Sequence, residues 1–270
     1  MTREDIIGHA GISLFFSATV FSAQHMVTAL PWSKIFAEMR PLAGTGRTSA
    51  SGNELPRMID QLPEQPVVPL DQMGIWTNSA VDAATVRIIG GASFASLGQT
   101  GIVLVEPRIF RDHRGMFFET FHAQKFTEAG ILPAFVQDNH SLSVQNVLRG
   151  LHYQIQQPQG KLIRVTRGEV FDVGVDIRRS SPTFGQWFGT LLSAENQRTM
   201  YLPPGFAHGF CAHSDASEVT YKCTDLYAPQ YERTLIWNDP AIGIPWPVQN
   251  PILADKDLQG KLLADAECYE

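Results

Sequence analysis

The stretch Val147-Leu148-Arg149-Gly150-Leu151-His152-Tyr153-Gln154 reads as a β-strand, and the rest of the chain is organised outward from it. Alternation puts Leu148, Gly150, His152 and Gln154 on one face and Val147, Arg149, Leu151 and Tyr153 on the other. An imidazole and a guanidinium three residues apart are unusual in a purely structural strand. The glycine between them weakens the strand and marks a place where backbone or ligand comes close. Strict alternation separates Arg149 from His152; both reach one site only if the strand is irregular, and Gly150 permits a bulge there. On this stretch alone, a hydrogen-bonded structural histidine is the plain alternative.

Downstream of residue 100, short β-rich runs succeed one another at 102–105, 116–121, 147–154, 162–166, 170–176, 186–192, 200–202, 209–212, 218–224 and 234–237. Turn signals separate them, among them Arg114-Gly115, Gln159-Gly160, Arg167-Gly168 and Pro203-Pro204-Gly205. Many short strands so spaced predict an all-β sandwich or barrel. One helical interruption, 122–129, is ended by Gly130.

The first hundred residues read differently. Trp32, Ile35, Phe36 and Met39 fall at helical spacing, whereas glycines, serines and prolines from Pro41 to Pro69 break any period and read as linker or disorder. The apolar run 6–23 suits an amphipathic helix; a signal-peptide core is the alternative, but its acidic flank and internal Gly8, His9 and Gly11 argue against it. It is also a poor membrane span. The expected division is an N-terminal extension over 1–100, partly helical, linker-like or disordered, and a β domain over 101–270.

With 270 residues and 44% hydrophobic composition, the chain can bury a substantial core. A net charge of −6 points away from nucleic acid, while local arginines can still hold a small anion. Cys211, Cys223 and Cys268 offer neither paired spacing nor an even count, which suits a reducing, cytoplasmic setting.

Several blocks are long and specific: Pro107 to Phe110 with Asp112, Arg114-Gly115 and Phe118-Glu119; Val136 to Ser141; Val147 to Gln154; Gly160-Lys161; Gly168 to Val173; Asp176-Ile177-Arg178; Ser181 to Gly185; Pro203 to Phe210; Tyr221-Lys222; and Trp237 to Pro240. In this order, over about residues 102–257, the chain resembles the dTDP-4-dehydrorhamnose 3,5-epimerase family. The resemblance implies a cupin-like jelly roll, working as a homodimer without metal or organic cofactor. It implies inversion of C3 and C5 of a dTDP-linked 4-keto-6-deoxy sugar.

Epimerisation beside a ketone needs a base on one ring face, an acid on the other, and a donor for the oxygen that gathers charge. His152 suits the base, because an ordinary imidazole titrates at about 6.5. The resemblance pairs it with a late aspartate at Asp257, with Asp255 as the nearby alternative; such a carboxylate fixes the tautomer and stabilises the imidazolium. It makes Tyr221 the proton donor, otherwise a core aromatic, and puts Lys161 at the enolate, where a compact cation stabilises charge. Arg149, His208, Glu232 and Lys256 match ligand contacts. Arg114, Glu119, Gln137, Asp138 and Asn139 match positions that hold the nucleotide, in part from the neighbouring subunit; an arginine's planar donors suit pyrophosphate. For each charged residue, a solvated surface position is the bland alternative.

Metal-binding cupins usually offer a His-x-His pair. Here Gln154 fills its second position and Lys161 would repel a cation, so no metal site is expected. A single-centre epimerase acting on another deoxysugar and a non-catalytic sugar-nucleotide binding module are the remaining alternatives. The second has no need of His152, Tyr221, Lys161 and Asp257 together.

Overall fold

The computed structural model describes residues 65–131 and 134–270. The expectations for residues 6–23, for the helix around Trp32 and for the linker as far as residue 64 lie outside the described residues. The strands are β1 (Val67–Pro69), β2 (Ile75–Thr77), β3 (Ala83–Ile89), β4 (Ala92–Ser96), β5 (Val103–Glu106), β6 (Phe110–Asp112), β7 (Gly115–Phe117), β8 (Gln137–Val144), β9 (Leu148–Gln154), β10 (Lys161–Arg167), β11 (Glu169–Asp176), β12 (Trp187–Ser193), β13 (Thr199–Leu202), β14 (Phe206–Ala212), β15 (Ala216–Cys223) and β16 (Glu232–Thr234). Helix α1 (Ala123–Glu128) follows β7, and α2 (Asp255–Leu258) lies near the C-terminus.

Two sheets face each other. One has the order β1-β3-β4-β5-β13-β10-β15-β8, the other β16-β9-β14-β11-β12-β2, and β6-β7 forms a separate hairpin. The expected all-β, cupin-like sandwich is therefore present. Gly174 of the second sheet lies so close to Leu202 of the first that a Cβ would fall 2.6 Å from its Cδ2. The outer faces are covered too. Phe126, Ala129 and Ile131, in and just after α1, pack on Phe94, Val103, Val105 and Leu162. The C-terminal segment lays Ile242, Trp246, Leu263 and Ala266 over Phe171, Val173 and Val175. With both faces covered, β11 and β14 are buried along nearly their whole length and lose the simple in–out alternation.

Helix α1 begins at His122, whose Nδ1 accepts from the Lys125 amide, and stops where Gly130 takes a left-handed φ of 93°. Strand β8 escaped the sequence reading because Gln137-Asp138-Asn139-His140-Ser141 has poor strand propensity.

The larger correction concerns residues 67–96. They are not part of an extension but four strands of the domain. β3 and β4 continue the eight-stranded sheet through β5, and β2 pairs with β12 at the edge of the other sheet. Side chains fasten the crossing: the Trp187 amide donates to Asn78 Oδ1 at 2.9 Å, Thr190 Oγ1 to the Gly74 carbonyl at 2.8 Å, and Arg198 Nη1 to the Met73 carbonyl at 2.9 Å. Met73, Ala84, Phe94, Ala95 and Leu97 are buried. Strands β1 and β2 are only three residues each, and alanine, serine and threonine dilute the alternation of β3 and β4, which hid these strands in the sequence.

Deleting residues 1–100 therefore strips Phe94 and Met73 from the core. Core truncations of that size cost several kcal/mol. Thermal denaturation should place the melting temperature of such a variant about 10 °C or more below that of one lacking only residues 1–64. Equal melting temperatures would make residues 67–96 a passenger.

Candidate active site

A cavity of about 360 Å³ opens between the two sheets. The six-stranded sheet contributes Arg149 and His152 from β9 and His208 from β14. The eight-stranded sheet contributes Gln137 and Asn139 from β8, Lys161 from β10 and Tyr221 from β15. The cavity is narrow enough that the His208 and Tyr221 rings, from opposite sheets, have centroids 6.4 Å apart.

Strand β9 is irregular where its glycine suggested. His152 stands opposite His208 and Arg149 opposite Phe210, two steps along β14 against three along β9. The extra residue is a bulge, and it turns Arg149 and His152 toward the same cavity. Gly150 has a φ of 123°, and a Cβ there would fall 2.6 Å from Gly209 Cα and 2.7 Å from the His208 carbonyl oxygen. Only glycine fits that approach.

It is Asp257, not Asp255, whose carboxylate meets the imidazole: Oδ1 lies 2.5 Å from His152 Nε2. Asp257 is 2% exposed, so water does not dilute the pairing. Among the described residues, Nδ1 of His152 has no hydrogen-bond partner. The arrangement suits a base whose far nitrogen is held and whose positive form is stabilised.

Lys161 is buried and, among the described residues, its ammonium makes no hydrogen bond. Burial pushes its pKa down; Cys223, Asp172 and Glu232 oppose that shift. Tyr221 moves the other way. Burial raises its phenol, the Cys223 thiol adds to the effect, and the Arg149 guanidinium opposes it. The phenol therefore keeps its proton while the ammonium gives up its own more readily than an exposed lysine.

Arg149 is steadied by Ser143, with Nε 3.0 Å from Oγ. His208 is held by Asp172, a residue the sequence reading did not single out, through Nε2 and Oδ2 at 2.9 Å. Asp172 is fully buried, and an acid inside the apolar run of β11 was the available signal. Gln154 is committed elsewhere. Its amide donates to the Gln157 carbonyl at 2.8 Å and accepts from the Ala228 amide at 2.8 Å, so it ties down the loop after β15. That loop brings Tyr227, also missed, to the cavity, where its hydroxyl donates to Glu232 at 3.2 Å.

Glu232 and Lys256 both line the cavity and pair with each other at 2.9 Å. Asp138 does not line it. Alternation along β8 turns Asp138 outward, where it accepts from Lys222, so its grouping with Gln137 and Asn139 is corrected. Arg114 and Glu119 also lie away from the cavity of their own chain, paired with Asp112 and Lys125.

Fold and cavity together define a cupin-like isomerase, with groups suited to moving protons on a ligand held between two sheets. The family model described as dTDP-4-dehydrorhamnose 3,5-epimerase matches residues 97–265. A dTDP-4-dehydrorhamnose 3,5-epimerase of Pseudomonas aeruginosa is 59% identical over 170 residues, covering 62% of this chain and 94% of the relative. One from Shigella flexneri is 54% identical over 170 residues, with the same coverage of each chain. The crystal structure of a dTDP-6-deoxy-D-glucose-3,5-epimerase from Legionella pneumophila, in complex with dTDP-4-keto-L-rhamnose, is 46% identical. It superposes with a TM-score of 0.61 over 68% of this chain and 95% of that one. The chain belongs to the dTDP-4-dehydrorhamnose 3,5-epimerase family. Strands β1 to β4 lie before the matched residues.

The opposite pKa shifts set an expectation for activity against pH. The charged form of Lys161 is lost at a lower pH than that of an exposed lysine, while the Tyr221 phenol holds its proton to a higher pH than a free one. The alkaline limb of kcat/KM should fall below the ordinary lysine value and vanish in Lys161→Met, whose residual rate no longer depends on that proton. A limb that survives unchanged in Lys161→Met would assign it to another group.

Proposed function

We propose that the chain is a dTDP-4-dehydrorhamnose 3,5-epimerase that converts dTDP-4-dehydro-6-deoxy-D-glucose to dTDP-4-dehydro-L-rhamnose in the cavity between its sheets. The observation that carries this reading is the opposition of His152, backed by Asp257, to Tyr221 on the other sheet.

In the proposed mechanism, His152 takes the proton from the carbon beside the ketone. The C–H electron pair moves toward the carbonyl, and the oxygen becomes an enolate. Lys161 stabilises that charge from a water-poor position, where a fixed cation acts most strongly. Tyr221 returns a proton to the opposite face of the same carbon, inverting it. Bulk exchange restores the imidazole and phenol, and the cycle repeats at the second carbon. Arg149, His208, Gln137 and Asn139 hold the sugar and its diphosphate. The catalytic unit in this reading runs from Val67 to the C-terminus, and its unpaired cysteines suit the cytoplasm.

The test is proton NMR of the product formed in heavy water. Deuterium should appear at both C3 and C5, and His152→Ala should slow uptake at both by at least about a hundredfold, the scale of a lost general base. Uptake at one carbon alone would instead mark a single-centre epimerase. Wild-type exchange in His152→Ala would remove His152 as the base.

We also propose a homodimer in which the β6-β7 hairpin completes the neighbour's cavity. This is supported by the exposure of Phe117 and Arg114 at the hairpin, 72% and 79%, and by Arg114's absence from the cavity of its own chain. A twofold dimer exchanges such arms reciprocally. Mixing inactive Arg114→Ala and His152→Ala variants after subunit exchange should recover about a quarter of wild-type activity, because half the dimers then hold one intact site. No recovery from subunits shown to have exchanged would place Arg114 in its own chain's site.

A further inference from the structure

The segment that carries Asp257 is a strap pinned at two ends. At one end the Ile252 amide donates to the Asn146 carbonyl at 2.8 Å, and the Leu148 amide donates to the Ile252 carbonyl at 3.0 Å. At the other, Lys261 donates to the Thr234 carbonyl at 2.9 Å and accepts from the Ile236 amide at 2.8 Å. Gly260 lies flat on that anchor; a Cβ would come 2.6 Å from the Ile236 nitrogen.

Between these anchors the strap has little of its own to hold it. Helix α2 is four residues long, and Ala254, its N-cap, makes no side-chain capping bond. Its backbone bonds are the Asp257 and Leu258 amides to the Ala254 carbonyl. Leu258 is 58% exposed and is no apolar anchor. Among the described contacts, two side-chain bonds tie residues 253–260 to the sheet. One is Asp257 to His152. The other, one residue earlier on the same helix, is Lys256 Nζ to Glu232 Oε1 at 2.9 Å. Glu232 is itself fixed: it stands opposite Gln154 in the β16-β9 pair, and its other oxygen accepts from Tyr227.

We infer that the Lys256–Glu232 ion pair is a latch that positions Asp257 against His152, so that these two are positioning residues before they are ligand contacts. The inference rests on the proposed role of His152 as the base. The charges are largely spent on each other, and the pair joins the helix bearing the aspartate to the strand beside the histidine. An ion pair this exposed contributes little to global stability. It is well suited to holding a short strap in register, and small displacements at a reacting centre cost rate steeply.

The experiment is a double-mutant cycle on deuterium uptake at saturating 4-keto sugar nucleotide, using Lys256→Met, Glu232→Gln and the double variant. Each single variant should lower the saturated rate about fivefold, the scale of a partly exposed pair, with KM changed less than twofold. The double variant should be no slower than either single one, because a latch broken once cannot be broken again. The reversed pair Glu232→Lys/Lys256→Glu should regain most of the rate. Three results would overturn the inference: unchanged rates in the single variants, a rise in KM alone, or losses that multiply in the double variant. Thermal melts establish that each variant is folded. If the reversed pair does not fold, the neutral cycle decides alone. A wild-type enzyme with no uptake would instead strike at the function itself.

Discussion

Close contact between Gly150 of β9 and Gly209 of β14 is the constraint on which the site depends. A regular β9 would send Arg149 and His152 to opposite faces. The bulge brings both into the cavity and leaves Leu151 and Tyr153 in the core on the far side of the sheet. Neither glycine tolerates a side chain: a Cβ on Gly209 would fall 2.7 Å from the Arg149 carbonyl oxygen. One local departure from strand geometry thus brings an imidazole and a guanidinium to one cavity from a single element.

The cavity divides labour by sheet. Burial at Lys161 and Tyr221 shifts the two groups in directions that suit their proposed roles. A lysine that sheds its charge more readily can also donate to a developing enolate, and a phenol that keeps its proton remains loaded as an acid. Asp172 and Asp257 set two imidazoles side by side, each fixed by its own buried carboxylate, on neighbouring strands paired at His152 and His208. Gln154, where a metal-binding cupin would have its second histidine, holds a loop instead.

Much of this was legible in the sequence. Alternating apolar runs announced most of the sandwich. The resemblance carried His152, Tyr221, Lys161 and Asp257 to positions that do meet around one cavity, and the glycine between Arg149 and His152 foretold the bulge. What stayed hidden has physical reasons. Strand β8 is polar because its inner face lines the cavity, so composition argued against a strand. Strands β1 and β2 are three residues each, alanine, serine and threonine dilute β3 and β4, and only pairing with distant β5 and β12 makes the set visible. Asp138 was misgrouped because a shared motif does not mean a shared face. Asp172 was overlooked because one acid in an apolar run carries no spacing pattern.

The central claim is that base and acid lie on opposite sides of one bound ring. It is tested most directly by the configuration of the sugar recovered from Tyr221→Phe in heavy water. If His152 abstracts and Tyr221 alone delivers to the far face, the recovered sugar gains deuterium with its original configuration and little inverted product forms. Inverted product at the wild-type rate would contradict the account, because the far-face proton would then come from another group.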